Sequence, residues 1–143
     1  MAPYPAPGGG ATVPARKTVP ARKAPQILVV EDEFLIRMLI SDALRDQGFG
    51  VVEAFNGDEA AEILVAGMAP DLIFSDVRMP GSLDGLGLLG LVRSRAPGVP
   101  VVLTSGHLDP RQALDEGARH FLRKPYDIGK VIALVTGILG KSE

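Results

Sequence analysis

From Gln26 onward the chain alternates between two hydrophobic rhythms, and that alternation limits its fold more than any other feature. Ile27-Leu-Val-Val30 is a continuous apolar run, the pattern of a strand covered on both faces. Residues 33–47 then repeat apolar side chains at helical spacing until Gly48 stops them. Val51-Val52 opens a second strand, and Asn56 caps a helix that runs to Ala66 and closes at Gly67. Strands are predicted at 71–76, 100–104 and 120–123, and helices at 86–95, 110–116 and 128–139. Five strands and five helices in about 118 residues require parallel pairing through right-handed crossovers, with helices on both faces. The expected fold is therefore α/β, a flavodoxin-like doubly wound five-stranded parallel sheet of order 2-1-3-4-5. Its switch point falls between strands 1 and 3, and its working residues should gather at the carboxyl ends of the strands.

Residues 1–25 stand apart. They hold six of the twelve prolines, the run Gly8-Gly9-Gly10, four basic residues and no acid. This composition predicts a disordered basic arm ahead of a domain at 26–143. Within it Val13-Pro-Ala-Arg-Lys17 recurs as Val19-Pro-Ala-Arg-Lys23, too short a repeat to build a solenoid. The arm is either a solvated leader or an electrostatic tether for an acidic partner. The remaining residues carry 11 bases and 17 acids, a net −6 that argues against direct DNA binding. No cysteine is present, and His107 and His120 are the only histidines. The first rules out a disulfide scaffold, a thiolate metal site and a cysteine nucleophile, and the second leaves a zinc site or a histidine-based triad little to work with. No apolar run approaches the ~18 residues of a membrane span, and no secretory signal opens the chain, so a cytoplasmic protein without membrane association is expected.

The strand ends carry the chemistry. Strand 1 ends in Glu31-Asp32-Glu33, strand 3 in Asp76, strand 4 in Thr104-Ser105 and strand 5 in Lys124-Pro125. A dinucleotide fold would place a glycine-rich loop after strand 1; three carboxylates stand there instead. Helix capping accounts for Glu33 and in part for Asp32, but not for Glu31 beside two more acids. Like charges ~4 Å apart repel by roughly 4 kcal/mol at an effective dielectric of ~20. A hard divalent cation such as Mg²⁺ explains the cluster of Glu31, Asp32 and Asp76.

Ile27-Leu-Val-Val-Glu-Asp-Glu33, Asp71-Leu-Ile-Phe-Ser-Asp-Val-Arg-Met-Pro-Gly81, Val101-Val-Leu-Thr-Ser105 and Phe121-Leu-Arg-Lys-Pro125 together resemble the receiver domain of two-component response regulators. The resemblance covers residues 26–140. It implies that Asp76 accepts a phosphoryl group from a histidine kinase or a histidine phosphotransfer protein, in a Mg²⁺-dependent reaction. It assigns Asp32, Asp76 and the backbone carbonyl of Arg78 to the metal, with Glu31 acting directly or through water. Lys124 and Thr104 would meet the phosphoryl oxygens, and a cis bond would precede Pro125. Thr104 and Phe121 would form the conformational switch, although Phe121 also suits a core position. Such a protein is a signalling switch, not an enzyme acting on a substrate pool.

Two features depart from the family's commonest pattern. The loop from Met79 to Gly85 is one residue longer, and Arg78 faces Gly106 at positions that tune dephosphorylation. Eight of the eleven residues from Phe34 to Leu44 are apolar, more than one core face needs, so part of helix 1 should remain exposed as a docking surface. Helix 4 is short and polar. Helix 5 is expected to bury Ile128, Val131, Ile132, Val135 and Ile138, leaving Ala133, Leu134 and Gly137 for a homodimer contact. With three residues after Gly140, the expectation is a stand-alone receiver acting on a downstream protein target. An aspartate-based phosphohydrolase is the enzyme alternative, but Arg78 occupies the place of its general acid. A pseudo-receiver scaffold would tolerate loss of Asp76, Thr104 or Lys124; all three are present.

Overall fold

A computed structural model describes residues 24–140. Five strands, β1 (Gln26–Val30), β2 (Gly50–Ala54), β3 (Leu72–Asp76), β4 (Val101–Ser105) and β5 (His120–Arg123), alternate with five helices. The helices are α1 (Phe34–Asp46), α2 (Gly57–Val65), α3 (Gly85–Arg95), α4 (Pro110–Asp115) and α5 (Ile128–Leu139). The strands pair in parallel in the order β2-β1-β3-β4-β5, as the alternation predicts. Of the arm expected over 1–25, residues 1–23 lie outside the described residues; the Pro25 carbonyl accepts the Gly50 N–H at 3.0 Å, extending the β1–β2 ladder.

Alternation along the strands divides the apolar residues between two cores. Ile27, Val29, Leu72, Phe74 and Val102 face α1 and α5, where Ile40, Leu44, Val131 and Val135 meet them. Leu28, Val30, Ile73, Val101 and Leu103 face α2, α3 and α4 through Ala60, Leu88, Leu89, Val92 and Ala113. Every residue of β3 and β4 is buried, whereas β2 and β5 are only partly covered because they are edges. β4 begins at Val101, one residue later than predicted, since Pro100 has no N–H to donate to the ladder. The face of α5 also differs from expectation: Leu134 packs against the core and Ile132 does not join it, while Ile128, Val131, Val135 and Ile138 pack as predicted.

Short polar side chains start four of the helices. Asn56, Asp84, Asp109 and Asp127 each accept a backbone N–H at the head of α2, α3, α4 and α5. Gly48, at φ 96°, stops α1 in a conformation that a Cβ would disfavour. The loop between β3 and α3 is pinned to α2, where Asp58 accepts the Ser82 N–H at 2.9 Å and the Ser82 hydroxyl at 2.6 Å. Those two bonds, the hydroxyl's first, hold the Asp58 carboxyl below its ordinary pKa.

Candidate functional site

The parallel pairing brings the ends of β1, β3, β4 and β5 to one rim. Asp76, the last residue of β3, lies opposite Thr104 of β4, and the Val77 N–H donates to the Thr104 carbonyl at 3.0 Å. Lys124 follows β5, tied by its own N–H to the Ser105 carbonyl. Its ammonium donates to Asp76 Oδ2 at 3.0 Å. Carboxylate oxygens of Glu31, Asp32 and Asp76 all fall within 4.8 Å of one another. Of the three, Glu31 and Asp76 are buried and Asp32 is exposed. The predicted acidic cluster and its lysine therefore converge.

The electrostatics follow from this crowding. Burial pushes the Glu31 carboxyl up from 4.5 to about 7; the Glu33 N–H opposes that rise, Asp76 adds to it and Lys124 resists it. Burial alone would lower Lys124, but the hydrogen bond and charge of Asp76, with Glu31 behind it, hold the ammonium above its ordinary value. Two of the three carboxyls are thus held close in a partly desolvated site with one cation between them, where their charges can be compensated by a further positive group.

Glu31 corrects the capping expectation. Its Oε2 accepts the Glu33 N–H at 3.0 Å, while Glu33, the N-cap of α1, makes no side-chain cap of its own. The longer glutamate reaches forward across the turn, so the acid at the end of β1 also holds the head of α1.

Thr104 is 1% exposed, and its hydroxyl has no hydrogen-bond partner. Leaving a buried hydroxyl unpaired costs about 1–3 kcal/mol. Thr104→Val should accordingly raise the stability of the ligand-free protein by about 1 kcal/mol in urea unfolding. A destabilised variant would show that the hydroxyl is already satisfied.

Arg78 is exposed on the rim, and the Lys124–Pro125 bond is cis. Phe121 is half-buried and packs against the core beneath α3 and α4. His107 lines the cleft, whereas His120 lies at the other end of β5. The sequence reading named Ser105 at the end of strand 4 without giving it a role, and passed over Tyr126. Ser105 Oγ accepts the N–H groups of His107 and Leu108, both at 3.0 Å, and so shapes the loop after β4. Tyr126 sets its ring edge-on to Phe74 with centroids 6.4 Å apart and walls the site beside Lys124. Burial raises its phenol pKa, and the Lys124 charge opposes that rise. An aromatic placed directly after Lys-Pro was the available signal.

A cleft of about 790 Å³ opens above the cluster, with Asp32, Asp76 and Lys124 on its polar side and Ile36, Leu39 and Tyr126 on its apolar side. Beside it α1 exposes Phe34 (62%), Leu35 (69%) and Leu39 (57%), as its excess of apolar residues predicted. No helix among the described residues is long and apolar enough to cross a membrane.

Known proteins resemble this chain in sequence and fold. The sequence is 39% identical over 112 residues to the DNA-binding transcriptional regulator NtrC of Escherichia coli, covering 76% of this chain and 24% of that protein. The chain thus spans about a quarter of the length of the curated relatives it matches. The crystal structure of the receiver domain of NtrX from Brucella abortus superposes with a TM-score of 0.71 at 38% identity, covering 79% of this chain and 97% of that one. A response regulator receiver protein from Sinorhizobium medicae gives 0.75 at 29% identity, covering 82% and 95%. Residues 27–136 match the family described as the response regulator receiver domain. With the sheet order, the carboxylate cluster and the opposed lysine, this match places the chain in the response regulator receiver family of two-component signalling.

Proposed function

We propose that the chain is a Mg²⁺-dependent phosphoacceptor switch in which Asp76 takes a phosphoryl group from a phosphohistidine of a histidine kinase or histidine phosphotransfer protein. The observation that carries this reading is the convergence of Glu31, Asp32 and Lys124 on a single buried carboxylate, Asp76. The donor set fits a hard divalent cation, being oxygen-only, with one exposed acid at its mouth. Glu31, Asp32, Asp76 and the Arg78 carbonyl would hold the ion. When bound, it would neutralise charge on the incoming phosphoryl oxygens.

The rest falls to the chain's own residues. A carboxylate is a weak nucleophile, so positioning and neutralisation must supply the assistance. An oxygen of Asp76 forms the new bond to phosphorus as the bond to the donor imidazole breaks. Lys124 moves from Asp76 to the added phosphoryl oxygens, and the unpaired Thr104 hydroxyl gains an acceptor. With all of them ionised, Asp76, Glu31, Asp32 and Lys124 total −2; with a divalent cation and an acyl phosphate the same site would total about −1. Thr104 turning toward the phosphoryl group would free space for Phe121, which is the proposed switch. The exposed face of α1 supplies an apolar docking surface next to the cleft for the donor protein, and the domain then signals through contacts with a protein target. Self-pairing through α5 and a cytoplasmic location belong to the same proposal.

Acetyl phosphate with Mg²⁺ should add one phosphoryl group, mapped to Asp76 by mass spectrometry, and chelation of the metal should prevent it. Phosphotransfer from phosphorylated histidine kinases should label the same residue. Repeated release of phosphate from phosphomonoesters would instead establish a hydrolase, and no labelling from any donor would end the proposal.

A further inference from the structure

Arg37 has no part in the chemistry described above, yet it makes the most connected polar contact near the site. It lies on the first turns of α1 with its side chain 15% exposed. Its Nη1 donates to the Glu31 carbonyl at 2.9 Å, and its Nε donates to Glu53 Oε1 at 3.1 Å. Its guanidinium also stands 5.5 Å from the centre of the Phe34 ring, within the range of a cation–π contact. Glu53 in turn accepts from Arg45 at 3.0 Å through its other oxygen.

The geometry explains why the Glu31 carbonyl needs such a donor. The Glu31 N–H still pairs with the Ala54 carbonyl, but the β1–β2 register ends at Val30 and Ala54. One residue beyond the ladder, a carbonyl that points away from a strand partner must find another donor. Arg37 supplies it from α1 and is itself aimed by Glu53 of β2. One planar guanidinium therefore fixes the peptide that joins Glu31 to Asp32, two of the three clustered carboxylates, relative to two separate elements. A lysine could not match this fork, since its ammonium is a point donor.

We propose that Arg37, oriented by Glu53, is a positioning residue for the carboxylate cluster, setting the turn after β1 so that Glu31 and Asp32 converge with Asp76 on a divalent cation. The inference rests on the metal-binding reading above. Outer-shell partners of metal ligands commonly alter affinity by about 10–100-fold, so Arg37→Gln should weaken Mg²⁺ binding about tenfold. Arg37→Lys, which keeps the stem and the charge, should weaken it severalfold. Glu53→Gln should do the same, and adding it to Arg37→Gln should bring little further loss, because both act along one hydrogen-bonded chain.

The test titrates Mg²⁺ calorimetrically into the full chain and each variant at 10 °C, with Mn²⁺ paramagnetic resonance as a second readout. Melting curves without metal identify the variants that are folded. Weaker binding by folded Arg37→Lys and Arg37→Gln supports the proposal. Unchanged affinity with only a lower melting temperature overturns it and leaves Arg37 a structural tie. If Arg37→Gln does not fold, Arg37→Lys and Glu53→Gln decide by the same criterion. Absence of saturable binding by the unaltered protein would instead remove the metal reading, and the positioning role with it.

Discussion

Asp76→Asn is expected to abolish labelling by acetyl phosphate altogether, while the protein stays folded and its cleft stays open. The amide keeps the shape of the carboxylate and can still accept a hydrogen bond from Lys124, so the 3.0 Å contact loses charge without losing its geometry. What disappears is the nucleophilic oxygen. The same substitution removes a negative neighbour that helps raise Glu31, so the Glu31 carboxyl should ionise below its present value of about 7. Mass spectrometry reads the first effect, and carboxyl-resolved NMR titration reads the second. Residual stoichiometric labelling of the Asp76→Asn variant would move the acceptor elsewhere, with Asp32 the nearest alternative. A titration that did not move would mean that the Asp76 charge does not contribute to the Glu31 value.

The second large effect is a dependence of stability on pH that runs opposite to ordinary acid unfolding. Unfolded, Glu31 ionises near 4.5; folded, near 7. Between these values the folded chain retains a proton that the unfolded chain has lost, so stability falls as pH rises. The contribution of this residue is fully present below 4.5 and is lost as pH passes through about 7. At ~1.36 kcal/mol for each pH unit, the gap sets a ceiling of about 3 kcal/mol, which solvent screening lowers. Glu31→Gln, which imitates the protonated form, should be about as stable as the unaltered protein at pH 4.5 and more stable at pH 8, by at most about 3 kcal/mol. Urea unfolding across this range provides the comparison, and parallel curves for the two proteins would refute the linkage. Because a bound cation favours the ionised carboxyl, Mg²⁺ should stabilise the unaltered protein more at pH 8 than at pH 5.

The fold was legible because its strands are short apolar runs separated by helical spacing, a pattern that leaves few topologies. The strand-end residues Glu31, Asp76, Thr104 and Lys124 were legible for a related reason, since parallel pairing delivers them to one rim wherever the crossovers run. What escaped the sequence depends on side-chain reach and on which partner lies across a gap. Nothing in the linear sequence singles out Arg37, and only the end of the β1–β2 ladder reveals the carbonyl it serves. Capping by sequence falls to Glu33 and in part to Asp32, not to Glu31; the reach of Glu31 across the turn to the Glu33 N–H is a three-dimensional fact. Ile132 and Leu134 stand on opposite sides of one apolar helix, and only the packed structure shows that Leu134 is the one that joins the core. Tyr126 and Ser105 hold neighbouring segments rather than announcing a motif.

Four helices begin on a short acid or amide of their own, but α1 borrows its anchor from the strand before it. Its opening turn and the ion pocket consequently draw on one shared carboxylate, with one oxygen already engaged at the amide of residue 33. On the proposed reading, filling or emptying that pocket reaches Phe34 and Leu35 through the shared carboxylate, at the apolar face offered to a donor protein.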